Sequence, residues 1–364
     1  MTTEAEQLLQ IRQQIDTIDE QIQQLITERA LCAKQVADIK TQGGQVEAVF
    51  YRPEREAQVL RAVKQRNTSV LSDDDMARLF REIMSACLAL EQPLKVAYLG
   101  PEGSYTHAAV LKQFGSFAQP VPVSTIEDVF KVVATQQVDY GVVPLENSTE
   151  GAVTSTQDCL ISTPVTVTGE VELPIHHCLL GQSTQLHDIT KVLAHPQALG
   201  QCRTWLRNNL PGVQLEAVDS NALAAKMAQA HTEVAAIASE QAASLYQLNI
   251  LKSHIEDAQN NTTKFWIIGR HAPTPSGEDK TALILSLANE AGALSRILES
   301  FAKRNISMTR IVSRPAIEQK WEYLFYIDIT GHQQDPAVAE ALAEVQANAR
   351  FFKLLGSYPV SPLN

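Results

Sequence analysis

Apolar residues return at three- and four-residue steps along the first part of the chain: Ile11, Ile15, Ile18, Ile22 and Leu25, continued by Ile26, Leu31, Val36 and Ile39. That period predicts one long helix, stopping near Thr41-Gln42-Gly43-Gly44. A second helix is predicted from Pro53, a favoured first-turn residue, to Gln65. Ser72-Asp73-Asp74-Asp75 caps a third, whose apolar face is Met76, Leu79, Phe80, Ile83, Met84, Cys87 and Leu88. Pro93 closes this helical stretch, and the pattern then changes. Short strand-like runs alternate with helical ones, at Lys95–Leu99, Tyr140–Val143, His177–Leu180, Lys191–Ala194, Ala235–Ala238 and Phe265–Ile268. Alternation of this kind is α/β organisation. His271 to Gly277, with two prolines, reads as a linker. Beyond it come strand Thr281–Leu287, helix Gly292–Arg304, strand Ile306–Ser313, strand Trp321–Ile329, helix Pro336–Ala347 and strand Phe352–Gly356. This βαββαβ order is that of a ferredoxin-like α+β layer. The expectation is therefore multidomain: an all-α module over 1–92, an α/β module over 94–271 and an α+β module over 280–358.

Composition narrows the classes of function. A net charge of −11 over 364 residues argues against a nucleic-acid partner. No apolar run reaches the roughly 18–20 residues of a membrane span, so no membrane partner is expected. The first six residues, Met1-Thr2-Thr3-Glu4-Ala5-Glu6, are acidic and lack an apolar signal core, which predicts a cytoplasmic protein. Cys32, Cys87, Cys159, Cys178 and Cys202 are scattered without a CxxC pair, which fits a reducing compartment and neither a disulfide framework nor a zinc site. His176-His177 is the nearest approach to a metal cluster, but neighbours on a strand point to opposite faces. No metal is expected, and no cofactor.

Two polar loops follow strand-like runs: Gly100-Pro101-Glu102-Gly103-Ser104-Tyr105-Thr106 and Pro144-Leu145-Glu146-Asn147-Ser148-Thr149-Glu150-Gly151. Loops at the carboxyl ends of strands in open α/β sheets are where ligands bind, and helix N-termini there favour anions. A cleft gripping a small carboxylate is predicted. In the helical module the cations carry a geometric message. Arg12 and Arg29 are 17 positions apart on one helix, about 25 Å at roughly 1.5 Å per residue. One small ligand touching both requires a second chain. Arg29 and Lys40, 11 positions apart, share a face, as do Cys87 and Glu91. Taken without further information, these residues describe a coiled-coil-like dimer with solvated charges.

The order Arg12, Arg29, Lys40, Arg55-Glu56 resembles the all-helical chorismate mutases. The stretch Phe50-Tyr51-Arg52-Pro53-Glu54-Arg55-Glu56-Ala57 is similar to the members fused to prephenate dehydratase. In that family two protomers interleave their long helices and the first arginine crosses into the partner's site. The resemblance implies that Arg12, Arg29 and Arg55 hold the two carboxylates of chorismate, Lys40 donates to the ether oxygen, and Glu56 accepts from the ring hydroxyl. Glu91 stands where some members have a glutamine donor to the ether oxygen, and so must be protonated to help. Cys87, in the substrate-contacting set, stands where some relatives have serine.

Residues 94–271 resemble prephenate dehydratase throughout, through the two loops, Ala238-Ser239-Glu240-Gln241-Ala242-Ala243, and the run from Ile255 to Phe265. The family fold is two α/β lobes clasping substrate, like a periplasmic binding protein. The family's Thr-Arg-Phe motif is Thr263-Lys264-Phe265 here and its Ser-Thr-Ala is Ser220-Asn221-Ala222. By resemblance Thr263 is the proton donor, Lys264 binds a carboxylate, and Glu146, Asn147, Ser148, Gln201, Ser104 and Thr106 position substrate. Each of these, taken singly, also reads as an ordinary cap or turn residue.

Ala291-Gly292-Ala293-Leu294-Ser295 and Ser313-Arg314-Pro315 resemble the phenylalanine-binding ACT domain, with Val312 where the family usually has glutamate. Gly292, Ala293, Leu294, Ser313, Arg314 and Pro315 are the implied allosteric set. A purely structural dimerisation layer is the plain alternative. The whole resemblance implies a bifunctional enzyme of phenylalanine synthesis acting on chorismate and prephenate, inhibited by phenylalanine, as a homodimer or larger homo-oligomer. A non-catalytic amino-acid sensor, or an enzyme with only one active module, are the competing readings; Lys40 and Thr263 speak against a sensor.

Overall fold

The computed structural model describes residues 3–42, 49–316 and 323–363. It begins with α1 (Glu4–Gln42), α2 (Pro53–Gln65) and α3 (Asp73–Glu91). Ser72 caps α3 by accepting from the Asp75 N–H at 3.1 Å, and Pro53 sits in the first turn of α2. Gly43 and Gly44, expected to end α1, lie outside the described residues. Helix α1 is 39 residues long and leans on α3. Its apolar series from Ile11 to Ile39 stays exposed in the single chain, Leu25 at 64% and Ile39 at 71%.

The α/β module consists of two sheets. The first lobe contains β1 (Lys95–Leu99), α4 (Tyr105–Phe114), β2 (Gln119–Val123), α5 (Ile126–Ala134), β3 (Tyr140–Asn147), β4 (Gly151–Ala152), α6 (Thr154–Ser162) and β5 (Thr166–Pro174). The second holds β6 (Cys178–Gly181), β7 (Lys191–Ala194), α7 (Pro196–Gln201), α8 (Arg203–Asn209), β8 (Gln214–Ala217), α9 (Asn221–Ala228), β9 (Val234–Ala238), α10 (Glu240–Tyr246) and β10 (Asn249–Lys252). Strand β11 (Thr262–Gly269) then returns to the first sheet. The orders are β2-β1-β3-β11-β5, with β4 on β3, and β10-β6-β9-β7-β8. The chain therefore crosses between the lobes twice, at 175–177 and 253–261.

One expectation needs correction here. Pro144 to Asn147 are strand, not loop: β3 runs on to Asn147 because β11 and β4 both pair with its end, Thr263 with Asn147 and Ala152 with Glu146. Cross-strand hydrogen bonds outweigh the polar composition, so these side chains alternate between the two faces of the sheet.

The last module is β12 (Asp279–Ser286), α11 (Ala293–Ala302), β13 (Met308–Pro315), β14 (Tyr323–Thr330), α12 (Pro336–Asn348) and β15 (Phe351–Pro359). Its antiparallel order β13-β14-β12-β15 is the ferredoxin-like one. Trp321, the expected start of β14, lies outside the described residues. One face of this sheet packs on α11 and α12 through Leu283, Leu285, Ile297, Phe301, Ile327 and Val345. The other shares a core with the first lobe, Ile284, Tyr326, Leu355 and Tyr358 meeting Val143, Leu145 and Trp266. The approach is tight at Gly356, where a Cβ would lie 2.4 Å from the Val167 carbonyl oxygen.

Candidate active sites

Between the lobes lies a cleft with two connected parts. The larger, about 720 Å³, is lined by Ser104, Tyr105 and Thr106 from one side and Ser220, Asn221 and Ala222 from the other. Here the N-termini of α4 and α9 face a common space, each capped by its serine: Ser104 accepts from His107 N–H and Ser220 from Leu223 N–H. The two positive helix ends favour an anion here, against the carboxylate of Asp219 that lines the same part. The smaller part, about 100 Å³, holds Asn147, Gln201, Thr263, His177 and Asn261. Tyr105, His195 and Asn221 line both.

Hydrogen bonds fix the donors in the smaller part. Asn147 Oδ1 accepts from the Thr149 and Glu150 backbone N–H groups, at 3.0 and 3.2 Å, and from the Thr149 hydroxyl at 2.6 Å. This orients its amide, whose Nδ2 donates to Thr263 Oγ1 and Asn261 Oδ1, both at 2.8 Å. Since Thr263 Oγ1 accepts from Asn147, its own proton is left to point into the cleft. Gln201 reaches from the second lobe to the Thr149 hydroxyl at 3.3 Å, and its Oε1 lies 2.8 Å from His177 Nε2. His177 Nδ1 in turn lies 2.8 Å from the Tyr105 hydroxyl. Burial holds His177 below its ordinary value and pushes the Tyr105 hydroxyl well up, so both are neutral at pH 7. Gln201 Oε1 can only accept, so Nε2 carries the proton, and the Tyr105 hydroxyl shares its one proton between His177 Nδ1 and the His176 carbonyl oxygen, 2.7 Å away.

The other cleft candidates fall differently. Ser104 acts as a cap and also donates to Leu99 O, while Thr106 is buried on the wall of the chamber. Ser148 Oγ accepts from Thr262 N–H at 3.0 Å and donates to Asn260 O, tying the loop to β11. Strand alternation turns Glu146 and Lys264 to the opposite face of the sheet from Asn147 and Thr263. There Glu146 pairs with Arg310 at 2.7 Å and Lys264 with Glu172 at 3.0 Å. These two side chains are paired on the face away from the cleft, so Lys264 does not reach the position expected of it.

In the helical module Arg29 and Lys40 are the cations acting on Glu91. Burial pushes the Glu91 carboxyl above its ordinary value, with Lys40 and Arg29 pulling it back in part, and Glu91 Oε2 is buried with no hydrogen-bond partner among the described residues. Lys40 Nζ donates to Val49 O at 3.2 Å and lies 5.3 Å from the Phe50 ring. Cys87 is buried in α3, whereas Arg12 and Arg55 are exposed. Glu56 departs from its expected role: it is turned inward to Arg81 at 3.0 Å and the Tyr51 hydroxyl at 3.4 Å. Arg81 also donates to Lys112 O at 2.9 Å and to Gln113 O, so Glu56 helps seat the helical module on α4.

In the last module Gly292, at φ +81°, is the N-cap of α11, followed by Ala293 and Leu294. Ser313 and Pro315 are exposed on edge strand β13. Arg314 points the other way, toward α6, 2.6 Å from Asp158. Tyr105, His177, His195 and Asn261 were not singled out from the sequence as site residues. They come from four separate segments, and only the folded lobes bring them together.

A helical rod bearing spaced cations, a two-lobed clamp with a threonine hydroxyl at its base and a ferredoxin-like layer together define a multidomain enzyme with a regulatory-type module. Family models agree, matching chorismate mutase type II over residues 11–92, prephenate dehydratase over 96–273 and the ACT domain over 281–346. The chain is 50% identical over 361 residues to the bifunctional chorismate mutase/prephenate dehydratase of Pseudomonas aeruginosa, covering 98% of this chain and 99% of that one. The same-named protein of Escherichia coli K12 is 33% identical over 379 residues, covering 97% and 96%. Among solved structures, prephenate dehydratase from Arthrobacter aurescens in complex with L-Phe matches with a TM-score of 0.68 and 32% identity, covering 74% of this chain and 91% of that one. The chain belongs to the bifunctional chorismate mutase/prephenate dehydratase family.

Proposed function

We propose that the chain carries out two consecutive steps of phenylalanine synthesis, the rearrangement of chorismate to prephenate and the decarboxylating dehydration of prephenate to phenylpyruvate, under inhibition by phenylalanine. The observation that carries the second step is the Thr263 hydroxyl. It accepts from Asn147 and so keeps its proton for a ligand. In the dehydration the ring C–OH bond breaks and hydroxide leaves as water, taking the Thr263 proton, which the hydroxyl regains from solvent. Carbon dioxide leaves together with it, and the electron pair of the broken C–C bond completes the aromatic ring. General-acid assistance of this kind contributes about 10²–10⁴-fold. Asn147 and Gln201 orient the substrate, and the N-termini of α4 and α9 hold the carboxylate that stays. Ser104 and Ser148 support the loops behind them.

For the first step, Arg29, Lys40 and Glu91, which must be protonated to donate, form one half of a site, and Arg12 of a second copy completes it, with Arg55 at its rim and Cys87 in its wall. The exposed apolar stripe of α1 and the ~25 Å between Arg12 and Arg29 support a homodimer built on α1. Confinement of a compact conformer, with hydrogen bonds to the ether oxygen, is the catalytic device. Phenylalanine is proposed to bind to the last module through Gly292, which opens α11, and Ser313 of the edge strand. The L-Phe complex of the Arthrobacter aurescens relative supports that choice of ligand.

One coupled assay tests the reading. Chorismate should yield phenylpyruvate, prephenate supplied alone should yield it too, and phenylalanine should slow both. Failure on chorismate with success on prephenate would leave a single active module.

A further inference from the structure

His176 and His177 diverge as neighbours on extended backbone do. His177 enters the cleft, while His176 turns to the second crossing between the lobes, where it meets His254 and Glu256. His176 Nδ1 lies 2.9 Å from Glu256 Oε1 and 3.1 Å from His254 Nδ1. His254 Nδ1 lies 3.6 Å from the same carboxylate oxygen. Three potential ligand atoms thus form a small triangle. In a tetrahedral zinc site with bonds of about 2.0–2.1 Å, neighbouring ligand atoms are about 3.3 Å apart. The observed edges bracket that value.

Protons alone serve this triangle poorly. The one Nδ1–H of His176 cannot be given fully to Glu256 and to His254 together. Protonating both rings sets two N–H groups against each other across 3.1 Å. Glu256 is also held in place from behind. Its side chain is only 2% exposed, and its other oxygen accepts from His177 N–H at 2.9 Å, the kind of outer support that orients metal ligands. His254 takes a left-handed backbone, φ +55°, costly for a residue other than glycine, and this presents its ring to the pair. The two imidazoles are open on their outer side, at 42% and 63% exposed, which leaves an entry path and room for a water ligand.

We propose that His176, His254 and Glu256 form a binding site for a divalent transition metal of the zinc class, with two imidazole nitrogens and one carboxylate oxygen as ligands. The nitrogen-rich set disfavours calcium and magnesium, which prefer all-oxygen shells. His176 lies on the first crossing between the lobes and His254 and Glu256 on the second, so the ion staples the hinge. Because Glu256 holds the backbone of His177, which orients Gln201, the staple also steadies the floor of the cleft.

The test uses the full chain, stripped with a chelator and titrated calorimetrically with zinc sulfate. Cobalt(II) serves as a second probe, through the visible absorption of its tetrahedral complexes. One equivalent per chain should bind, and the thermal midpoint should rise with zinc. The double variant His176→Ala/His254→Ala changes only exposed rings. It should bind at least about 100-fold more weakly, since even losing an outer-shell partner costs about 10–100-fold. Its mutase rate should equal that of the parent and its circular dichroism spectrum should overlay the parent's, which together report that it is folded. Unchanged zinc affinity in the double variant would move the ion elsewhere. No uptake by the parent at micromolar zinc would reduce the cluster to a hydrogen-bonded clasp. Either result overturns the proposal.

Discussion

Thr263 and Lys264 are adjacent in sequence and opposite in role. The threonine sits in the cleft under Asn147; the lysine sits on the far side of the same strand, paired with Glu172. Thr263→Ala should lower the dehydratase rate by about 10²-fold or more and leave the mutase rate unchanged. A variant that still dehydrates prephenate at the parental rate would remove Thr263 from its role. In the helical module, burial raises the Glu91 carboxyl against the opposing pull of Lys40 and Arg29. A neutral Glu91 can donate to an ether oxygen that gains negative charge, whereas an ionised one repels it. The mutase rate should therefore fall as pH rises through that raised value, and Glu91→Gln should stay active above it. A pH–rate profile identical in parent and variant would take Glu91 out of the site.

At the level of elements, the periodic parts of the chain could be read directly. The limits of α2, the Ser72 cap, β1, β7 and the βαββαβ order of the last module all follow from local pattern and turn chemistry. What could not be read was which polar residues share a face. The run from Pro144 to Asn147 has loop composition, yet pairing with β11 and β4 makes it strand and sends Glu146 away from Asn147. Glu56 likewise depends on Arg81, a partner 25 positions on (81 − 56) that no short-range pattern reveals. His254 could not be linked to His176 for the same reason. The Arg81–Glu56 pair also makes a prediction about the α2–α3 seam. Arg81→Met leaves a buried carboxylate without its cation and should cost about 3–5 kcal/mol. Adding Glu56→Gln should recover most of that loss, as read from urea unfolding. Equal midpoints for the single and double variants would contradict the assignment.

Across the whole molecule, the ACT sheet and the first lobe share one core with charges buried in it. Asp328 on β14 is the clearest of these: burial pushes its carboxyl up to about 6, with Arg310 pulling it down and Glu170 adding to the rise. A carboxyl raised in the folded state stabilises that state fully only below its unfolded value near ~4. The contribution is lost as pH rises through about 6. The seam should thus weaken between pH ~4 and ~7, by about 3 kcal/mol at roughly 1.4 kcal/mol per unit. Asp328→Asn should remove that dependence and raise the thermal midpoint at neutral pH. A variant whose midpoint tracks the parent across the range would show that Asp328 is ionised throughout.

The bare apolar stripe of α1 has a genetic consequence. If every mutase pocket borrows Arg12 from a neighbour and uses its own Lys40, two crippled chains can repair one another. Chains carrying Arg12→Ala and chains carrying Lys40→Ala, each inactive alone, would on mixing give hybrid pairs with one intact pocket. Random exchange into two-fold pairs makes that roughly a quarter of all pockets. Activity regained from two dead preparations would show that heredity of this site is shared between two polypeptides.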